Sequence, residues 1–322
     1  MKKLSDYSAY VEKLLVDMQL PGDKFAGLYG PVKYSLSAGG KRLRPSLLLM
    51  AADAFGGNAA DAENAAIGIE TFHNFTLLHD DVMDKSDLRR GRTTVHAKWD
   101  VNTAILSGDT MLTLATQRIA MVPDAVLRPV LDAFNSMALR VYEGQRLDMD
   151  FENSDNVTLA DYIEMISGKT GSLLGASASI GALIGGASAE DAAKMAEYGM
   201  MLGIAFQIQD DWLDVFGDST TFGKPIGGDI NNNKKSFLLL AAYATGTPDA
   251  TALRDAMKLP AGDTKIKIVT RLYERLDMSA QCRAAIQSYS SKALAALKST
   301  SLSEEAREPF RMVVEKLTGR KK

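Results

Sequence analysis

Two acidic pentapeptides constrain this chain more than any other feature: Asp80-Asp81-Val82-Met83-Asp84 and Asp210-Asp211-Trp212-Leu213-Asp214. In a helix, residues four apart lie on one face about 6 Å apart along the axis, so Asp80 and Asp84 project together, as do Asp210 and Asp214. The runs before them, residues 65–78 and 189–209, are rich in Ala, Leu, Ile, Met and Phe, the composition of buried helices. Carboxylates carried at the edge of a core need a counter-charge, because unpaired charge in a partly dry cleft costs several kcal/mol. Oxygen-only ligands favour Mg²⁺, and three His with one Cys argue against a dedicated zinc site. Magnesium typically shares its coordination between one or two carboxylates and substrate phosphates, so the pair of claws points to a diphosphate substrate. One such pentapeptide among 40 acidic residues is weak evidence and reads equally as a solvated helix end; two, both on apolar helices, are much stronger.

With 46% hydrophobic residues, the 322-residue chain has ample material for a sizeable core. Nine prolines, long stretches rich in Ala, Leu, Met, Glu and Lys, and few alternating Val/Ile/Thr runs predict an all-α fold. A net charge of −3 gives little reason to expect a nucleic-acid partner. Cys282 is alone and the opening residues lack the apolar stretch of a signal peptide, which together predict a cytoplasmic protein. No transmembrane segment is expected. The nearest candidate, residues 173–187, is too short and interrupted by Ser and Gly, and it reads as a buried helix packing through small residues.

Helical stripes are expected over residues 4–19, 27–36, 46–55, 61–84, 102–120 and 124–150, then 158–166, 173–187 and 189–214, and finally 237–243, 265–276, 280–297 and 304–317. Between the second and third, Gly39-Gly40-Lys41-Arg42-Leu43-Arg44-Pro45 sets two flexible glycines before three cations. If a helix begins there, Lys41 and Arg44 share a face and its free N–H groups add to an anion site; standing alone the segment reads as a solvated basic turn. His73 lies seven residues before Asp80, near the same face, either as an ordinary core histidine or as a phosphate contact. After the first claw, Arg89-Arg90-Gly91-Arg92 is expected to be a loop, and arginine forks suit bidentate phosphate binding. Gly168-Lys169-Thr170-Gly171 places a lysine between glycines inside a helical pattern, an unfavourable choice unless something requires it. It is not a nucleotide-binding P-loop, since the spacing and preceding strand are missing. Residues 216–233 hold four glycines and three consecutive asparagines and read as a loop that carries Lys224 and Asp229 and leads into Lys234-Lys235, a basic loop next to a claw that could act as a lid.

The ordered set GGKRLRP, His73, DDVMD followed by DLRRG, Gly168-Lys169-Thr170, FQIQDDWLD, Gly223-Lys224, and Asp229-Ile230 with Lys234 resembles the trans-prenyltransferases, the short-chain isoprenyl diphosphate synthases. The resemblance covers roughly residues 30–240. It implies a single helical domain spanning 1–322, a bundle around a deep central cavity, and a homodimer. It further implies that Lys41, Arg44, His73 and Arg90 bind isopentenyl diphosphate, and that Arg89, Lys169, Thr170, Gln207, Lys224 and Lys234 bind the allylic diphosphate. Asp80, Asp84 and Asp210, with Asp214 as the weaker candidate, are then the Mg²⁺ ligands, for three ions with substrate bound. Asp80, Asp84, Arg89, Lys169, Asp210 and Lys224 would carry catalysis. Two departures stand out: Thr93 replaces a frequent proline two residues after RRG, and Asn231-Asn232-Asn233 replaces commoner glycine-containing versions. Neither removes a charged ligand.

The implied reaction needs no protein nucleophile. Cations stabilise charge on departing pyrophosphate, the allylic C1 becomes carbocation-like, and the double bond of isopentenyl diphosphate attacks it. A class I terpene cyclase is the rival enzyme, but its second metal motif usually mixes Asn, Ser and Glu, and the separate basic site at Lys41, Arg44 and Arg90 favours two diphosphate substrates. A catalytically silent partner subunit, or a helical scaffold, commonly lacks one claw. Product length is expected to follow from Phe72, Phe75 and Thr76. An aromatic five residues before the first claw with a small residue four before resembles the C20 pattern, so geranylgeranyl diphosphate is favoured over farnesyl diphosphate. Both phenylalanines are equally what a buried helix contains.

Overall fold

Long apolar runs become helices wherever a capping residue and a glycine or proline mark their ends. The computed structural model describes residues 2–217 and 226–319. Its first half comprises α1 (Leu4–Val16), α2 (Ala26–Leu36), α3 (Leu43–Ala54), α4 (Ala59–Met83), a hairpin of β1 (Leu88–Arg89) and β2 (Arg92–Thr93), α5 (Val95–Lys98), α6 (Val101–Ile119) and α7 (Asp124–Glu152). There follow α8 (Leu159–Ile166), α9 (Ser172–Ile184), α10 (Ala189–Phe216), α11 (Gly228–Asn231), α12 (Phe237–Ala244), α13 (Pro248–Met257), α14 (Asp263–Arg275), α15 (Met278–Lys298) and α16 (Glu304–Thr318). The all-α expectation holds, with one two-stranded antiparallel hairpin as its exception among the described residues.

Side-chain caps satisfy the free N–H groups at several helix starts. Asn58 accepts from Ala60 N–H at 3.1 Å, Asp100 from Thr103 N–H at 2.8 Å, and Thr158 and Asp161 bond reciprocally across the first turn of α8. Such caps typically contribute about 1 kcal/mol each.

The chain divides into two compact units. The first contains Met1–Asn135, Ala176–Met195 and Ser301–Pro309. Its α3 is buried from Leu47 to Ala52, and α4 buries Ala62, Ala65, Ala66, Ile69 and Phe72. A Cβ on Gly68 of α4 would stand 3.0 Å from the Ala115 carbonyl of α6, so any larger residue would press these two helices apart by a few tenths of an ångström. The second unit contains Ser136–Gly175, Ala196–Thr300 and Phe310–Lys322. Its core gathers α8, the later part of α10, and α12 to α15, with Leu238, Ala242, Leu253, Val269, Met278 and Cys282 fully buried. Each large apolar side chain buried in this way contributes roughly 1.5–3 kcal/mol.

Four sequence expectations change. The helix expected from 46 starts at Leu43, and Arg42 before it is left-handed (φ 45°), so Lys41 precedes the helix and does not share a helical face with Arg44. Residues 88–93 form a hairpin where a loop is expected; Arg90 (φ 53°) and Gly91 (φ 73°) make its two-residue turn. Residues Ser167–Gly171 form a π turn between α8 and α9. Finally, α13 lies in a stretch with no expected helix. The expected loop over 216–233 begins with the last residue of α10 and ends around α11; Lys224 lies outside the described residues, as does most of the terminal basic tail.

Candidate active site

Both claws sit in the last turns of long helices, where the backbone dipole disfavours anions and attracts cations. In the first unit, α4 ends at Met83 and the Asp84 N–H still bonds to the Asp80 carbonyl at 2.8 Å, so the turn continues through both claw residues. Asp80 is half-buried and Asp84 exposed. Asp81 between them turns the other way, into the protein, and accepts from Arg89 Nε at 2.6 Å. Burial raises its carboxyl above the usual carboxylate range, against the pull of Arg89. The middle aspartate thus anchors the arginine hairpin.

The basic segment before α3 divides its labour in a similar way. Arg42 is buried; its guanidinium pairs with Glu70 at 2.6 Å and Glu12 at 2.7 Å, and donates to the Leu36 carbonyl at 2.9 Å. It is structural. Arg44 instead reaches His73, Nη1 to Nε2 at 3.1 Å. Burial, then the positive charge of Arg44, Arg90, Arg89 and Arg42, holds His73 well below its ordinary value, so its imidazole is neutral. Arg90 donates to the Gly39 carbonyl. A Cβ on Gly40, whose φ is +138°, would fall 2.7 Å from that guanidinium, which explains the second glycine. Arg44, Arg89 and Arg90 are therefore gathered around His73, on the later half of α4, in a concentrated positive field. Lys41 lies on the exposed stretch leading to it.

Phe72 and Phe75 are buried on another side of α4. Phe75 meets His79 edge-on at 4.8 Å and Phe72 at 5.5 Å, and Phe72 in turn meets Phe134 at 5.4 Å. Thr76 is half-buried and its hydroxyl donates to the His73 carbonyl at 2.8 Å. These rings meet edge to face in a row running back along the helix from the claw.

In the second unit the π turn places Lys169 against Asp148 of α7, Nζ to Oδ2 at 2.6 Å. Burial alone would raise Asp148, but Lys169 and Lys234 outweigh it and hold the carboxyl below its usual range. The glycines around Lys169 now have a reason: a Cβ on Gly168 would stand 2.6 Å from the Arg140 carbonyl, and one on Gly144 2.8 Å from the Gly168 carbonyl carbon. Thr170 Oγ1 donates to Gln207 Oε1 at 3.1 Å, and Gln207 Nε2 to Asp211 Oδ1 at 3.1 Å. Asp211 is buried and also accepts from Tyr162 Oη at 2.7 Å and the Phe237 N–H at 2.8 Å. Burial, with Asp229 nearby, raises it above the usual carboxylate range. Asp210 is half-buried on the other side. Asp214 is buried and accepts from the Asp229 N–H at 3.0 Å, so part of its carboxylate is committed to the backbone around α11.

Sequence reasoning left Glu70, Asp81, Asp148, Asp211 and Tyr162 without roles. The signal for Asp81 and Asp211 was their place inside the pentapeptides, about 100° around the helix from each leading aspartate. Among the described residues no three His, Cys, Asp or Glu side chains converge as a ready metal cage. The donor set still fits magnesium, which binds through one or two carboxylates and takes its remaining oxygens from water and substrate phosphates.

The polyprenyl synthetase family model matches residues 26–276. A geranylgeranyl diphosphate synthase of Methanosarcina mazei is 41% identical over 246 residues, 76% of each chain. A geranylfarnesyl diphosphate synthase of Natronomonas pharaonis is 41% identical over 249 residues, covering 72% of this chain and 73% of the relative. A crystal structure of a geranylgeranyl pyrophosphate synthase superposes with a TM-score of 0.93 at 42% identity, covering 100% of both chains. With paired aspartates ending two apolar helices, an arginine hairpin beside the first and a π-turn lysine in the same unit as the second, this chain belongs to the polyprenyl synthetase family.

Proposed function

We propose that this chain is a magnesium-dependent trans-prenyltransferase that adds isopentenyl diphosphate head to tail to allylic diphosphates and releases geranylgeranyl diphosphate as principal product, with farnesyl diphosphate close behind. The observation that carries the reading is the spacing at the two helix ends: Asp80 with Asp84, and Asp210 with Asp214, lie four residues apart on one helical face, while Asp81 and Asp211, about 100° round the helix, face Arg89 and the Phe237 N–H. Three magnesium ions, when bound, supply Lewis-acid stabilisation of the charge that builds on departing pyrophosphate. Asp80, Asp84 and Asp210 would hold them, and Asp214 contributes less because it also accepts a backbone N–H.

Lys41, Arg44, neutral His73 and Arg90 bind the diphosphate of the substrate that does not ionise. Arg89, Lys169, Thr170, Gln207, Lys224 and Lys234 bind the allylic diphosphate. The allylic C1–O bond breaks, the isopentenyl double bond attacks C1, and the departing pyrophosphate takes the proton then lost. Apolar helix walls keep water from the cation. We further propose one catalytic domain acting as a cytoplasmic homodimer, supported by the exposed Val101, Ile105 and Leu106 on α6.

The assay is the chain alone with Mg²⁺, labelled isopentenyl diphosphate and dimethylallyl, geranyl or farnesyl diphosphate. Labelled C20 product is expected. Hydrocarbon formed without isopentenyl diphosphate would make it a cyclase, and no turnover with any primer would make it a silent subunit.

The row of rings sets where growth stops. Phe75 lies roughly 7.5 Å back from Asp80 along the helix and Phe72 roughly 12 Å. Opening the first ring should let the chain grow toward the second, so Phe75→Ala is expected to shift product to C25 or longer. Chromatography of dephosphorylated products checks this; unchanged length would remove Phe75 as the floor.

A further inference from the structure

The arginine hairpin is too short to hold itself in place. Each strand has two residues, and isolated two-stranded hairpins are marginal even when longer. Neighbouring helices must therefore fix where Arg89 and Arg90 point. The first strand is tied to α4 by the Arg89–Asp81 pair at 2.6 Å. From α2 the second strand is held by Tyr34. Its hydroxyl donates to the Thr93 carbonyl at 2.8 Å. Its ring lies 4.2 Å from the Arg92 guanidinium and 4.1 Å from Lys98 Nζ, and meets the Trp99 ring edge-on at 5.2 Å.

These contacts do two things. Partnering Thr93, directly across the ladder from Leu88, fixes the height of the hairpin on α4. Holding Arg92 and Lys98 on an aromatic face keeps two cations away from the turn, where they would repel Arg90. Arg92 also donates to Ser37 Oγ at 3.2 Å, so its orientation is set twice. The turn residue Arg90 then reaches the Gly39 carbonyl, just beyond the end of α2. Helix α2 and the residues just after it thus hold both the second strand and the tip.

We propose that Tyr34 is a positioning residue for the isopentenyl diphosphate site, acting through the hairpin to set Arg90 beside Arg44 and His73. It rests on the reading that Arg90 binds this substrate.

The test compares wild type with Tyr34→Phe, which keeps the stacking ring and loses the hydrogen bond, and Tyr34→Leu, which loses both. Isopentenyl diphosphate binding is measured by calorimetry without allylic primer, so no turnover is needed, and KM for each substrate is measured separately. Loss of one such hydrogen bond should weaken isopentenyl diphosphate binding about three- to tenfold in Tyr34→Phe, with the allylic KM unchanged. Tyr34→Leu should lose more, at least about tenfold, in the same direction. Unchanged isopentenyl diphosphate affinity in a folded Tyr34→Phe overturns the proposal. Equal weakening for both substrates with a lowered melting temperature also overturns it, since that marks a structural role only. A wild-type chain that binds isopentenyl diphosphate, and loses it selectively in Tyr34→Phe, but forms no product would sustain this inference while the functional reading fails. A wild type that binds none would overturn both.

Discussion

Asp80→Ala is expected to lower turnover by at least roughly a hundredfold, about 2.7 kcal/mol of transition-state stabilisation, and Asp210→Ala by a similar factor. On the proposed reading each substitution would remove a metal ligand whose charge matters most when pyrophosphate departs, so kcat should fall more than KM rises. Folding should be untouched or slightly favoured. Alanine is the better helix former, and an aspartate in the last turns of α4 or α10 opposes the helix dipole. The claws are thus kept at some cost to the helices that carry them. Single-turnover rates with thermal melting separate the two effects; near-normal rates at limiting Mg²⁺ would remove these carboxylates from metal binding.

Glu70→Ala should produce the largest change in stability. Arg42 and Glu70 are 3% exposed each, and their contact at 2.6 Å lies in the first unit between α4 and the start of α3. Without Glu70 the guanidinium keeps only Glu12, which is partly exposed, and the Leu36 carbonyl. Breaking a buried pair from one side typically costs about 3–5 kcal/mol, because the remaining charge stays buried. Asn74, which donates to the Glu70 carboxylate at 3.1 Å, loses a partner too. Glu70→Gln keeps an acceptor and should lose less. Denaturant unfolding checks both, and a Glu70→Ala loss under about 1 kcal/mol would show that Glu12 alone suffices for Arg42.

The helical architecture and the claws were legible because both are local: apolar periodicity and a four-residue spacing are written in consecutive residues. What depended on distant partners was not. Arg42 and Arg44 look alike in sequence, and only distant partners, Glu70 28 residues on and Glu12 30 residues back, decide that one is structural and the other faces His73. The glycines at 168 and 171 marked an anomaly, but they became explicable only once α7 lay against the first and α10 against the second. Helix α13 was missed through its weak apolar stripe, although Thr247 capping Ala250 N–H and Pro248 at the first position were a readable start signal.

The π turn at Ser167–Gly171 also sets a phase. An unbroken α-helix turns about 100° per residue, and one added residue in the turn offsets everything after it by that angle relative to α8. Lys169 faces Asp148 and Thr170 faces Gln207, while the next turn still presents Leu174 and Gly175 to Gly199 of α10. A straight helix through this segment could satisfy one of these faces but not the other. The extra residue acts as a phase shifter between a polar stretch that faces Asp148 and Gln207 and a small-residue stretch that packs on a neighbouring helix, letting each be set without disturbing the other.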